Sequence, residues 1–213
     1  LSAKLSKLTL QYGQNVLKTK DLEVEQQTSY PWDGRITLTV RKAKRLASIR
    51  MHIPSWSTNM SLKLNGQPIL AEDLRQPRKW KKGDTIELDL PMKARLVEAN
   101  PLVEEAKNQI AVVRGPIVYC LEGQDIEGDH RINDIAIPAD IQFTEKKITI
   151  CDRDMVALEG EALLVNNDPW FNNQLYRDLR PVEKKKVKIR LIPYYAWDNR
   201  GIDDMSLWLP LAR

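Results

Sequence analysis

The sequence predicts an all-β protein made of two consecutive antiparallel β-sandwich domains with little helix, residues 1–98 and 99–213. Three observations carry this: apolar residues recur with period two, turn residues punctuate the runs, and helical periodicity is nearly absent. A length of 213 residues suits two domains of about 100 residues each, with a core in each.

In the first half the alternating runs are Leu8 and Leu10, Leu22 and Val24, Ile36 with Leu38 and Val40, Ile49 with Met51 and Ile53, Leu62 and Leu64, and Ile86 with Leu88 and Leu90. Such spacing puts one face of each strand on a core and the other in water. Asp33-Gly34, Pro54-Ser55, Asn65-Gly66 and Gly83-Asp84 separate the runs. Asn65-Gly66 is the sharpest of these, because both residues accept the positive φ of a tight hairpin. Ala99-Asn100-Pro101 and the polar stretch Glu104–Asn108 then interrupt the pattern. Strands resume at Ile110–Val113, Ile117–Leu121, Ile148–Ile150, Leu163–Val165, Val187–Leu191 and Ser206–Leu209. The polar intervals Glu122–Asp134 and Asn166–Val182 are expected as surface loops, the second with room for a helical turn. No repeat of fixed period joins the halves.

Composition narrows the class. Hydrophobic residues at 42% and charged residues at 29% exclude a disordered or fibrous chain. No apolar run reaches the roughly 18 residues of a membrane span, and residues 1–12 lack a signal-peptide core, so no membrane partner is expected. The chain opens on Leu1 rather than Met, which points to a piece of a longer protein and leaves its compartment unknown. The net charge of +4 is uneven: residues 1–97 hold 18 Lys or Arg against 9 Asp or Glu, giving +9, and the remainder is −5. A basic half suits docking on an acidic body.

Candidate chemistry is sparse. His52, His130, Cys120 and Cys151 occur singly without metal-ligand spacing, and His52 is expected to face solvent. Cys120 falls in an apolar strand; a bridge to Cys151 requires those strands to pair. Asp125, Glu127, Asp129 and Asp134 lack the order of a calcium loop. Glycoside hydrolysis usually needs two carboxyl groups about 5–9.5 Å apart, but Glu159, Glu161, Asp203 and Asp204 all read as solvated turn residues. The sequence has no nucleophile elbow and no phosphate loop. The basic stretches Arg41–Arg45 and Arg78–Lys82, with Trp80 to stack on a base, make nucleic acid a rival partner, though an unfavoured one against a lysine-rich turn. Trp56, Trp80, Trp170 and Trp197 neighbour turns; packing under loops is the expectation for each, and sugar stacking the alternative.

Four phrases in order carry a resemblance: Tyr30-Pro31-Trp32-Asp33-Gly34, Trp80-Lys81-Lys82-Gly83-Asp84, Arg114-Gly115-Pro116-Ile117-Val118-Tyr119, and Ile192-Pro193-Tyr194-Tyr195-Ala196-Trp197-Asp198-Asn199-Arg200-Gly201 leading to Trp208. Together they resemble the C-terminal region of glycoside hydrolase family 127, the β-L-arabinofuranosidase-like enzymes. The resemblance implies a retaining hydrolase of L-arabinofuranosides or related plant sugars, with a zinc-bound cysteine nucleophile in a helical barrel upstream of two β-sandwiches. No catalytic, cofactor or metal position of that barrel maps onto this chain, and zinc is expected only in the catalytic domain. The implied partners are that barrel, a second copy of the chain, or carbohydrate bound by an independent module. Trp32, Asp33, Trp80, Trp197 and Arg200 are the candidates for domain docking or sugar contact.

Overall fold

The computed structural model describes residues 6–10, 12–165, 175–178 and 184–212. The all-β class is borne out, with strands making up 51% and helix 7%. Two compact units divide at Lys93–Ala94.

The first unit contains β1 (Ser6–Leu10), β2 (Asn15–Lys18), β3 (Leu22–Thr28), β4 (Arg35–Ala43), β5 (Ala47–Met51), β6 (Ser61–Leu64), β7 (Gln67–Pro68), a single helical turn α1 (Ala71–Arg75), and β8 (Thr85–Asp89). Six of these strands form one sheet in the order β2-β3-β4-β8-β6-β7, and β1 and β5 pair separately. The predicted alternation sets the registers. Ile36 lies opposite Leu88 and Leu38 opposite Ile86 across β4 and β8, and all four side chains are fully buried. Leu22, Val24 and Ile49 join the same core. Burying one such side chain stabilises by about 1.5–3 kcal/mol, so this cluster outweighs any single turn.

The Asn65-Gly66 hairpin forms as expected, with φ of 51° and 78°. Asn65 also donates from Nδ2 to Asp84 at 3.1 Å and accepts from the Thr85 amide at 2.8 Å, which stitches this turn to the Gly83-Asp84 turn. One expectation fails here: β1 runs parallel to β5, so the unit is not purely antiparallel.

The second unit contains β9 (Ala94–Glu98), β10 (Gln109–Arg114), β11 (Ile117–Ile126), β12 (Ile135–Pro138), β13 (Thr144–Ile150), β14 (Arg153–Leu164), β15 (Lys185–Pro193), β16 (Met205–Ser206) and β17 (Leu209–Ala212). β9 pairs with β10 along its whole length. Residues 94–98 therefore belong to this unit, and the boundary lies before them rather than after residue 98. β10 and β11 are joined by the tight Gly115-Pro116 turn, where Gly115 has φ of 55°.

These strands form one nine-stranded sheet, and the β10–β11 pairing closes a ring through β15, β14, β12 and β17. The second sandwich expected from sequence is thus realised as a barrel-like closed sheet, which leaves fewer open edges. One pair within that ring, β12 against β17, is parallel. The predicted loop at 122–134 is also corrected, because β11 continues to Ile126. The predicted 166–182 loop lies mostly outside the described residues. No helix among the described residues is long and apolar enough to cross a membrane.

Candidate functional site: an arginine-anchored aromatic loop

Two of the five candidate residues, Trp197 and Arg200, lie on one loop of the second unit. β15 ends at Pro193, whose fixed φ leads into a 3-10 turn at Tyr194–Ala196. Ala196 is buried, while Tyr194, Tyr195, Trp197 and Ile202 face outward. An aromatic loop this exposed needs a firm root, and β11 supplies it.

That root is a bulge. β11 uses five steps from Leu121 to Ile126 where β15 uses two, from Leu191 to Ile189. A bulge of this kind redirects side chains. Glu122 and Asp125, 1% and 4% exposed, both meet the guanidinium of Arg200. Arg200 Nη1 also donates to Asp125 Oδ1 at 3.1 Å. Glu122 Oε1 accepts from the Asp198 amide at 2.9 Å, and Asp203 Oδ2 accepts from the Gln124 amide at 2.5 Å. Gly123 is required between them, since a Cβ there would lie 2.6 Å from Asp203 Oδ1. Asn199 closes the loop internally, donating to the carbonyls of Ala196 and Trp197.

The electrostatics follow from this packing. The Asp125 hydrogen bond raises the pKa of Arg200; burial opposes it and Glu122 adds to it. The Cys120 thiol, two residues before Glu122, is pushed up to about 12 by burial, with Glu122 and Asp125 adding to the shift. The charge chain then runs outward: Arg190 lies 4.0 Å from Asp125 and 2.7 Å from Glu159, and Lys146 lies 3.3 Å from Glu159. A general acid needs a raised pKa, whereas the Arg190 hydrogen bond lowers that of Glu159. Glu159 and Glu161 are residues of β14 rather than of a turn, and Glu161 pairs with Lys186 at 2.9 Å. These carboxylates are spent on cations and backbone amides, so the arrangement holds a loop rather than cleaving a bond.

The other candidates stand elsewhere. Trp80 is 3% exposed, its Nε1 donates to the Ala47 carbonyl at 3.0 Å, and the Arg78 guanidinium sits 5.3 Å from its ring centre. Trp80 is therefore a core residue that can stack on neither a base nor a sugar. Trp32 and Asp33 form the turn into β4, both amides donating to the Ser29 carbonyl, and Asp33 Oδ1 accepts from the Arg35 amide at 2.8 Å. Trp56 packs on the first core, and Trp170 lies outside the described residues. His52 is exposed as expected. Arg114 is buried and makes a two-pronged contact with Glu145 at 2.8 and 2.7 Å, which ties β10 to β13. Cys120 and Cys151 are free thiols, the first buried and the second exposed. Among the described residues no three His, Cys, Asp or Glu side chains gather to hold a metal, so the zinc that the family implies finds no fit here.

Sequence reasoning missed Glu122 and Asp125 as partners of Arg200, and Gln124 as the partner of Asp203. Each pair is separated by 75 to 79 residues, and no local spacing marks such pairs. The one available signal was the acidic content of the Glu122–Asp134 interval beside a lone loop arginine.

Comparison with known proteins agrees with this geometry. Residues 8–92 match the "Beta-L-arabinofuranosidase, GH127 middle domain" and residues 94–210 the "Glycoside hydrolase family 127 C-terminal domain". The non-reducing end β-L-arabinofuranosidase of Bifidobacterium longum subsp. longum is 34% identical over 200 residues, covering 88% of this chain and 30% of that protein. A solved glycoside hydrolase aligns at 45% identity and TM-score 0.81, over 90% of this chain and 32% of the other. The GH127 β-L-arabinofuranosidase of Geobacillus stearothermophilus T6 aligns at 32% identity and TM-score 0.79, over 90% and 31%. The chain spans about a third of the length of these relatives. With both of its units matched in order, the chain belongs to glycoside hydrolase family 127, of which it holds the middle and C-terminal domains.

Proposed function

We propose that this chain is the non-catalytic, β-structured accessory region of a glycoside hydrolase acting on L-arabinofuranosides or related plant-derived sugars. In this reading it buttresses a helical catalytic barrel, and the zinc with its cysteine ligands belongs to that barrel. The observation that carries the reading is the pair of domain matches, middle and C-terminal, which together fill residues 8–210. The Arg200 anchor supports it: buried ion pairs cost desolvation and are retained where they fix a conformation, and the conformation fixed here presents Trp197 and Ile202 outward.

The test is turnover by the purified chain. With an aryl β-L-arabinofuranoside, and with zinc present or chelated, release of the aryl group is expected to stay at the rate of buffer alone. Saturable turnover would overturn the proposal.

A further inference from the structure

Two of the concave sites on the second unit differ in character. The larger, about 600 Å³, lies over β13, β14 and β15 and is lined by Lys146, Glu159, Lys188 and Arg190 among others. Its Lys146–Glu159 and Arg190–Glu159 contacts already pair charges with one another, so a ligand there would have to break them. The smaller, about 350 Å³, lies where β10, β16, β17 and the 3-10 turns at 132–134 and 194–196 come together. Among the described residues no Asp, Glu, Lys or Arg lines it. The residues that line it include the aromatic Tyr194 and Trp208 and the polar Gln109, Asn133 and Ser206.

Each feature restricts the ligand. A pocket without charged side chains gives no counter-ion to a phosphate, carboxylate or amine, and burying an unpaired charge is costly. Amide and hydroxyl groups beside two aromatic rings suit a molecule with an apolar face and a hydroxylated rim. The volume lies at the low end of the roughly 300–1,000 Å³ of small-molecule sites, which is room for one or two sugar rings. The walls are also held in place. Ser206 Oγ donates to the Trp208 carbonyl at 2.7 Å, and Ile132, 7% exposed, is part of the lining. Tyr194 is 42% exposed, so its ring is open to solvent as well as to the pocket.

We propose that this pocket, walled by Tyr194, Trp208 and Gln109, binds a neutral saccharide of one or two rings and is a sugar-holding site on the accessory region itself. The choice of an arabinose-based probe rests on the function proposed above; the recognition chemistry does not.

Calorimetric titration of the whole chain with arabinobiose, and separately with cellobiose, tests it. Saturable heat with a millimolar dissociation constant is expected, insensitive to added salt because no charges take part. Tyr194→Ala and Gln109→Ala should each weaken binding about tenfold, close to 1.4 kcal/mol, while Tyr195→Ala, the adjacent ring outside the pocket, leaves it unchanged. Thermal unfolding of each variant confirms that it is folded, and the two pocket variants check one another. Equal binding of both sugars would support the saccharide site and count against the arabinose-directed reading. No heat with either sugar, heat that both pocket variants leave unchanged, or heat that falls steeply with salt would overturn the proposal while leaving the accessory role to its own test.

Discussion

At the scale of single residues, the decisive fact is that Arg200 neutralises two carboxylates that have almost no access to water. Glu122 and Asp125 are 1% and 4% exposed, so removing the guanidinium strands the Glu122 charge and leaves Asp125 only the more distant Arg190, 4.0 Å away. Arg200→Met is expected to destabilise the second unit by about 3–5 kcal/mol, read as a lower urea midpoint with an unchanged slope. A loss below about 1 kcal/mol, the worth of an exposed pair, would mean that the cluster is solvated. The thiols offer a second check. Cys120 is buried with its pKa pushed up to about 12, and Cys151 is exposed. The thiolate is the reactive form, so near neutral pH a thiol reagent should label Cys151 alone in the native chain and both residues in denaturant. Rapid native labelling of Cys120 would contradict its burial.

At the scale of elements, two glycines separate conformational strain from close packing. Gly66 has φ of +78° with open space where a Cβ would go, whereas a Cβ on Gly34 would sit 1.7 Å from the Leu90 carbonyl oxygen. Gly66→Ala is expected to cost about 1–2 kcal/mol from the left-handed backbone alone. Gly34→Ala must displace the backbone carbonyl of Leu90, whose amide donates to the Gly34 carbonyl at 3.0 Å, and is expected to cost at least the roughly 1–3 kcal/mol of an overpacked core. Thermal unfolding of the two variants should rank Gly34→Ala as the worse; the reverse order would refute the close approach.

The same elements show what was legible in the sequence. β4 was legible because Ile36, Leu38 and Val40 alternate onto one buried face, and the Asn65-Gly66 hairpin because its chemistry is local. The ring closure was not, because it depends on β12. That strand is short and mostly buried without alternation, and it pairs in parallel with β17, Ile137 lying opposite Leu211. Charged Glu122 and Asp125 read as loop residues for the same reason: their partner is distant in sequence. Trp80, expected to pack under its loop, turns its indole inward to the Ala47 carbonyl although it stands next to Lys81-Lys82.

At the scale of the whole molecule, the two units have separate cores, the first built on a pair of sheets and the second on a closed one. The basic first half, +9 over residues 1–97, fits attachment to an acidic surface. The central claim, that this chain is an interchangeable scaffold of a family 127 hydrolase, is tested most directly by exchange. In the Bifidobacterium longum enzyme, the region that aligns with this chain would be replaced by it, and β-L-arabinofuranosidase activity and thermal midpoint compared with the intact and truncated enzymes. The scaffold account predicts that the exchange recovers most of the activity and stability lost on truncation; a hybrid no better than the truncated enzyme would contradict it.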